Sequence, residues 1–203
     1  MRKIILIGGA PTLGKSYLAK RIAEELRMTW ISTDTIREQM REIVRKKDFP
    51  NLFMFTNAST EMARKYLTEN KPKEIVIHQN LESKDVWCGV KAIIEKDYVW
   101  DDFIIEGVAV IPSLIAHLPA NIKIVPIFLV DDDKERIKDT IFKRGLWDMA
   151  AKYPDDLKGI EVDWVIEFDK WIRGESEKHN YKIFEVGNRL DYIHEITKYV
   201  KVA

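Results

Sequence analysis

Cysteine is almost absent from this 203-residue chain, where Cys88 stands alone. That excludes an internal disulfide and fits a reducing compartment. With no basic cluster beside it, Cys88 reads as a small buried side chain rather than a reactive thiolate. Histidine is scarce too. His78, His117, His179 and His194 show no metal-ligand spacing, so no zinc, haem or flavin site is expected. Net charge is missing: 33 basic residues balance 33 acidic ones, leaving no basic excess to follow a nucleic-acid backbone. Long apolar runs are missing as well. Nothing approaches a membrane span, and the apolar start is too short for a signal peptide. These absences point to the cytoplasm, with no nucleic-acid and no membrane partner. No repeat, linker or low-complexity tract divides the chain, so residues 1–203 read as one domain, long enough for a well-buried core.

What is present is concentrated near the N-terminus. Gly9-Ala10-Pro11-Thr12-Leu13-Gly14-Lys15-Ser16 follow the apolar run Ile4-Ile5-Leu6-Ile7 and precede an amphipathic stretch. This is the Gly-x4-Gly-Lys-Ser phosphate-binding loop in its strand–loop–helix context. Glycines let the backbone curl so that successive N–H groups converge on phosphate oxygens, and the following helix adds its positive end. Lys15 supplies a mobile charge for the β- and γ-phosphates, and the Ser16 hydroxyl suits Mg²⁺. The nucleotide-binding set is Gly9, Ala10, Pro11, Thr12, Leu13, Gly14, Lys15, Ser16 and Tyr17, with ATP as phosphoryl donor.

The periodicity gives strands at Ile4–Ile7, Trp30–Ser32, Phe103–Ile105, Ile122–Val130 and Tyr181–Val186. Between them it predicts helices over Lys15–Arg27, Thr35–Lys47, Asn57–Glu69, Leu81–Glu95, Lys134–Arg144, Val162–Arg173 and Asp191–Val200. Thr35-x-x-Glu38 reads as a capping box. Ile75-Val76-Ile77-His78 is open between strand and helix start, Trp87 and Trp100 read as core, and Gly145–Gly159 has weak periodicity around Trp147 and Tyr153. Alternating strands and helices predict an α/β fold: a doubly wound, five-stranded parallel sheet of the phosphate-loop NTPase kind, like nucleoside monophosphate kinases. A helical insert and a lid at about residues 134–173 complete it, with ligands at the carboxyl ends of the strands.

Phosphoryl transfer needs positioning, charge neutralisation and a group that orients the attacking oxygen. Asp34 follows the second strand and faces the crevice, where it could take a proton from a hydroxyl or merely favour its helix start. Arg37, Arg41 and Arg45 stand four apart on one helix face. Arg37 and Arg41 are candidates to grip an anionic acceptor, and Arg45 lies further off. Glu106 ends the third strand, where it could hold Mg²⁺ through water or serve the acceptor. Gly107 beside it suits close ligand approach. Arg144, next to Gly145, is the candidate lid arginine for the transferring phosphoryl group, and Arg136 within its acidic run reads equally as an ion pair. Asn188, after Gly187, could border the base.

Three stretches together resemble the archaeal 2-phosphoglycerate kinase type of phosphate-loop kinase: Gly8 to Ser16, Ser32-Thr33-Asp34-Thr35-Ile36-Arg37-Glu38-Gln39-Met40-Arg41, and Ile104-Ile105-Glu106-Gly107-Val108-Ala109-Val110-Ile111-Pro112. Val86–Ile94 is similar to the helix between the last two. The chain departs from that pattern at Ala109, where a histidine is expected, and it begins at the loop, without the N-terminal extension of longer members. The resemblance implies ATP and Mg²⁺ use and an acceptor alcohol on a small, anionic molecule, with 2-phosphoglycerate the first candidate. It also implies Asp34, Arg37, Arg41 and Glu106 around that acceptor. A nucleoside or nucleoside monophosphate kinase, and a triphosphatase or ATP-sensing module without an acceptor, are the alternatives.

Overall fold

A computed structural model describes residues 2–54, 59–96, 101–146, 150–187 and 189–203. Asn188, Trp100 and Trp147, singled out from the sequence, lie outside the described residues.

Five strands, β1 (Lys3–Gly9), β2 (Thr29–Ser32), β3 (Phe103–Glu106), β4 (Lys123–Val130) and β5 (Lys182–Glu185), form one sheet in the order β2-β3-β1-β4-β5. Every pairing is parallel, as expected from the alternation of strands and helices. β1 lies at the centre, and Ile4 to Ile7 have no exposed surface, which explains an unbroken apolar run where a one-sided strand would alternate. β3 is buried along its whole length, including the carboxyl-bearing Glu106.

Helix α1 (Lys15–Leu26) covers the sheet with Leu18, Ala19, Ile22 and Ala23, all buried at helical spacing. Leu18 and Ile22, fully buried, contribute roughly 1.5–3 kcal/mol each relative to exposure. Helix α2 (Thr33–Ile43) begins two residues before the expected capping box. Its cap is Ser32, whose Oγ accepts from the Thr35 N–H at 3.0 Å and lies 2.9 Å from the Thr35 hydroxyl. A serine ending β2 thus serves as N-cap, stabilising by about 1 kcal/mol, so Thr35 is already inside the helix.

A 3₁₀ turn (Asn51–Phe53), helix α3 (Thr60–Glu69) and the 25-residue helix α4 (Pro72–Lys96) fill the span between β2 and β3. The Ile75–His78 ambiguity resolves as helix, because Pro72 opens α4 at a first-turn position where a missing N–H costs nothing. A short helix α5 (Pro112–Ile115) precedes β4, and α6 (Lys134–Arg144) follows it. Cys88 is exposed on α4 rather than buried, because its neighbour Trp87 takes the inward position.

The largest difference from expectation is α7 (Asp155–Lys178), which starts seven residues early and ends five late. Leu157, Val162, Trp164, Val165, Phe168 and Ile172 form its buried face, and it packs on α4, α6 and β4. Lys158, Glu161 and Asp169 share that buried face, and these charged residues disguise the apolar period. Most of the span expected to be irregular is therefore ordered: Ala150, in a 3₁₀ turn (Ala150–Lys152), and Tyr153 are buried as well. Helix α8 (Arg189–Val202) closes the fold. Among the described residues, no helix is long and apolar enough to cross a membrane.

Candidate active site

The phosphate loop joins β1 to α1. Gly14 adopts a left-handed conformation (φ 78°) as the residue before α1, and no side chain caps that helix. The contrast with its neighbours is informative. Helices α2, α3 and α6 each carry a side-chain cap and an acid in the first turn, whereas α1 has neither. The positive end of its dipole and its N-terminal N–H groups are the features that suit an anion. Inside the loop, the Lys15 ammonium donates to the Ala10 carbonyl at 2.7 Å. Burial pushes the Lys15 amine below its ordinary value, against the raising influence of Glu106 and Asp34, while the positive charge of Arg144 lowers it further.

Glu106, Asp34 and Arg144 thus lie near enough for their charges to act on Lys15. Parallel register sets Glu106 level with Ile7 of β1 and Ser32 of β2, so the carboxylate emerges between the phosphate loop and the start of α2. Glu106 is 2 % exposed, and burial raises its proton affinity. Lys15 and a hydrogen bond from the Ser16 hydroxyl oppose that rise. Its Oε1 has no partner among the described residues, and neither has the buried Thr33 hydroxyl. Gly107 follows with φ +146°, and a Cβ there would fall 1.8 Å from Thr33 Oγ1. Only glycine lets α2 come this close to β3. Ala109, at the position expected to hold histidine, is buried at 2 % exposure and adds no polar group to the crevice.

Asp34 stands in the first turn of α2 with an exposed side chain and pairs with Arg37 at 3.1 Å. Arg37 also donates to Glu38 at 3.0 Å and lies 3.9 Å from Glu82. Burial acts to lower the Arg37 pKa, but Asp34, Glu82 and Glu38 outweigh it and hold the guanidinium charged. No bond to Arg37 Nη2 occurs among the described residues. Arg41 differs: its Nε donates to the Leu52 carbonyl (2.7 Å), Nη1 to Glu38 (2.8 Å) and Nη2 to Glu82 (2.9 Å). All three nitrogens of Arg41 are thus engaged within the protein. Arg45 is exposed and pairs with Asp48, outside this group.

Glu82 is the residue sequence reasoning missed. It lies on α4 at 3 % exposure, and burial raises its pKa against the pull of Arg37 and Arg41. A signal was available: Glu82, Val86 and Gly89 share one helical face, so an acid interrupts an otherwise inward-facing stripe.

On the other side of the loop, Arg136 binds Asp131 through two nitrogens, pairs with Asp133 at 3.4 Å and donates to the Val186 carbonyl. It is an anchored ion-pair residue. Arg144 ends α6 with an exposed side chain, and its positive charge acts on Lys15.

For a divalent cation, the available donors are hard oxygens: the Ser16 hydroxyl and the unpartnered Glu106 Oε1. No cluster of three or more His, Cys, Asp or Glu side chains able to hold a metal occurs among the described residues. That set fits Mg²⁺, which keeps several waters and takes one or two protein oxygens beside substrate phosphates.

The family model for an AAA domain matches residues 4–86, the segment from β1 into α4. The 2-phosphoglycerate kinase of Methanothermobacter thermautotrophicus is 30% identical over 98% of this chain and 64% of its own length. That of Methanocaldococcus jannaschii is 32% identical over 90% of this chain and 60% of its own. The chain is similar to the archaeal 2-phosphoglycerate kinases. It spans roughly three-fifths of the length of these curated relatives. Among solved structures, a gluconokinase from Sinorhizobium meliloti 1021 superposes with a TM-score of 0.57 at 15% identity, covering 99% of this P-loop chain and 93% of its own. A shikimate kinase from Bacteroides thetaiotaomicron gives 0.57 at 16% identity, covering 100% and 98%. At such identities the likeness is one of fold, the P-loop kinase fold.

Proposed function

We propose that this chain is an ATP-dependent phosphotransferase that moves the γ-phosphoryl group to a hydroxyl of a small, anionic metabolite, with 2-phosphoglycerate the first acceptor to test. The observation that carries the reading is geometric: parallel register sets Glu106 level with Ile7, just before the phosphate loop, and with Ser32, which caps the helix whose first turn bears Asp34. A module that only senses nucleotide could use Glu106 for Mg²⁺, but it needs no proton acceptor such as Asp34.

The chemistry is largely positioning and charge neutralisation. The bare N-terminus of α1 and the loop amides hold the β- and γ-phosphates, with Lys15 turning from Ala10 to join them. Asp34, exposed to the crevice, accepts the proton of the acceptor hydroxyl as that oxygen attacks phosphorus. Arg37 grips the anionic group of the acceptor, which orients the hydroxyl. Arg144 neutralises charge on the phosphoryl group in flight. Glu106 and Ser16 provide oxygens for Mg²⁺, which when bound would neutralise charge on the β- and γ-phosphates. A small-molecule kinase of this kind, with its lone Cys88 kept reduced, is at home in the cytoplasm with no nucleic-acid partner.

The test is a mass-spectrometric screen of phosphorylated and hydroxy-acid metabolites with ATP and Mg²⁺, 2-phosphoglycerate included. One acceptor gaining 80 Da with equimolar ADP supports the reading (the mass of a transferred phosphoryl group, ~80 Da). ATP hydrolysis that proceeds equally with and without every metabolite overturns it.

A further inference from the structure

Two guanidinium groups on α2 converge on a single buried carboxylate of α4, and the packing of the two helices explains how. Gly89 lies against Ile36 and Met40, and a Cβ at Gly89 would come within 2.7 Å of both side chains. Close approach at Gly89 brings the same face of α4, two turns earlier, under the arginine stripe. There Glu82 Oε1 accepts from Arg41 Nη2 at 2.9 Å, and Oε2 accepts from Gln79 at 3.0 Å and faces Arg37 Nη1 at 3.9 Å.

A carboxylate in this position is costly. Removing a charge from water carries a penalty of several kcal/mol that ion pairing offsets only with good geometry, and apolar replacements are often as stable. Fold stability alone therefore gives little reason for Glu82. What it does is arrange the arginines. Arg41 is fixed through all three nitrogens, to Glu82, Glu38 and the Leu52 carbonyl, with 10 % of its side chain exposed. Arg37, one turn nearer the crevice, is more open at 24 % and has its Nη1 between Asp34 and Glu82. Its Nη2 edge remains for a ligand.

We infer that Glu82 is a positioning residue for the acceptor: its buried carboxylate, by its charge 3.9 Å from Arg37 and through Arg41 and the Glu38 oxygen that both arginines share, holds the Arg37 guanidinium in the orientation that receives the acceptor's anionic group. This rests on the kinase reading above. It assigns the two arginines different tasks, Arg37 as ligand and Arg41 as brace.

Glu82→Gln keeps the size and removes the charge. With 2-phosphoglycerate and ATP, the variant should raise the acceptor KM at least ten-fold while the KM for ATP stays within two-fold, and Glu82→Asp should fall between. Unchanged acceptor KM in a folded Glu82→Gln protein overturns the inference. If the wild type transfers nothing to 2-phosphoglycerate, that acceptor assignment fails, and the positioning claim is read without turnover. Nitrogen-15 NMR of the free protein should show restricted rotation of the Arg37 guanidinium, lost in Glu82→Gln. Equal restriction in both proteins overturns the claim. If Glu82→Gln does not fold, Glu82→Asp is compared in the same two measurements, and wild-type values in both overturn it.

Discussion

The Lys15 ammonium donates to the Ala10 carbonyl 2.7 Å away, a bond between the two ends of the phosphate loop. The same bond keeps a buried charge from being left unpaired. A nucleotide must exchange this internal partner for phosphate oxygens. ATP with Mg²⁺ at about 100 times its dissociation constant should stabilise the native protein by roughly 2.7 kcal/mol, visible as a rise in Tm. In Lys15→Ala that rise should shrink sharply and turnover should vanish. A variant with the full Tm shift and full turnover contradicts the assignment of the loop.

Asp34 has two possible contributions, and they separate in measurement. Its carboxylate lies in the first turn of α2, where a negative charge adds about 0.3–1 kcal/mol through the helix dipole. As the acceptor's base it is worth far more to the rate. Asp34→Asn should lose turnover by roughly 10²- to 10⁴-fold, the range for general base catalysis, with ATP affinity kept. A small fall in Tm with turnover nearly intact would leave only the helix-start role.

Glu161 is buried with no exposed surface, and both its carboxyl oxygens lack a partner among the described residues. Burial pushes it up to about 7, with Lys158 opposing. The folded state therefore holds a proton that the unfolded chain releases near its ordinary value. Stability on this account is greatest at low pH, falls as pH rises from about 4.5 to 7, and is flat above. The full span is worth up to about 3 kcal/mol. Glu161→Gln should melt like the wild type near pH 4.5, allowing a constant offset, and gain Tm relative to it at pH 8. A parallel pH dependence of Tm in both proteins would show that Glu161 stays ionised in the fold. Asp169, raised to about 7 by burial, contributes in the same direction and remains in both.

The parallel sheet and the strand–loop–helix context of the phosphate loop were legible because their signals are local. An apolar run of strand length reads as a buried parallel strand, and Gly14-Lys15-Ser16 carries its chemistry within three residues. Asp34 and Glu106 were legible from their place at strand ends. Other features depend on partners distant in sequence. The α7 start was hidden because Lys158 and Glu161 face inward, where periodicity expects apolar side chains. The Ser32 cap was missed because a strand's last residue doubles as a helix's first support. Glu82 was invisible until α4 was laid against α2, since nothing in its own neighbourhood says that Arg37 and Arg41 lie 41–45 residues upstream in sequence and adjacent in space.

Arg144 should act on the rate and not on nucleotide binding. It is exposed at the end of α6, and its positive charge acts on Lys15 to lower its proton affinity. Gly145 turns the chain directly after it, donating its N–H to Ile141 at 2.8 Å, and a Cβ at Gly145 would fall 2.3 Å from the Ala151 nitrogen. This tight packing anchors the base of the arginine, and Ala150, Tyr153 and Leu157 tie residues 150–157 into the core. A lid that moves residues 150–157 would have to pull these side chains from the core, whereas reorientation of the guanidinium would not. Amide exchange over Tyr153–Gly159 should already be slow in the free protein, since buried, packed segments open rarely. Arg144→Ala should cut turnover by roughly 10²-fold or more while ATP affinity stays within a few-fold, because a contact made mainly in the transition state lowers kcat and spares ground-state binding. Arg144→Lys should recover part of the loss, as it keeps the charge without the planar fork. Fast exchange in Tyr153–Gly159 that slows only with ATP and acceptor together would restore the swinging lid. Normal turnover in Arg144→Ala would remove the arginine from the reaction altogether.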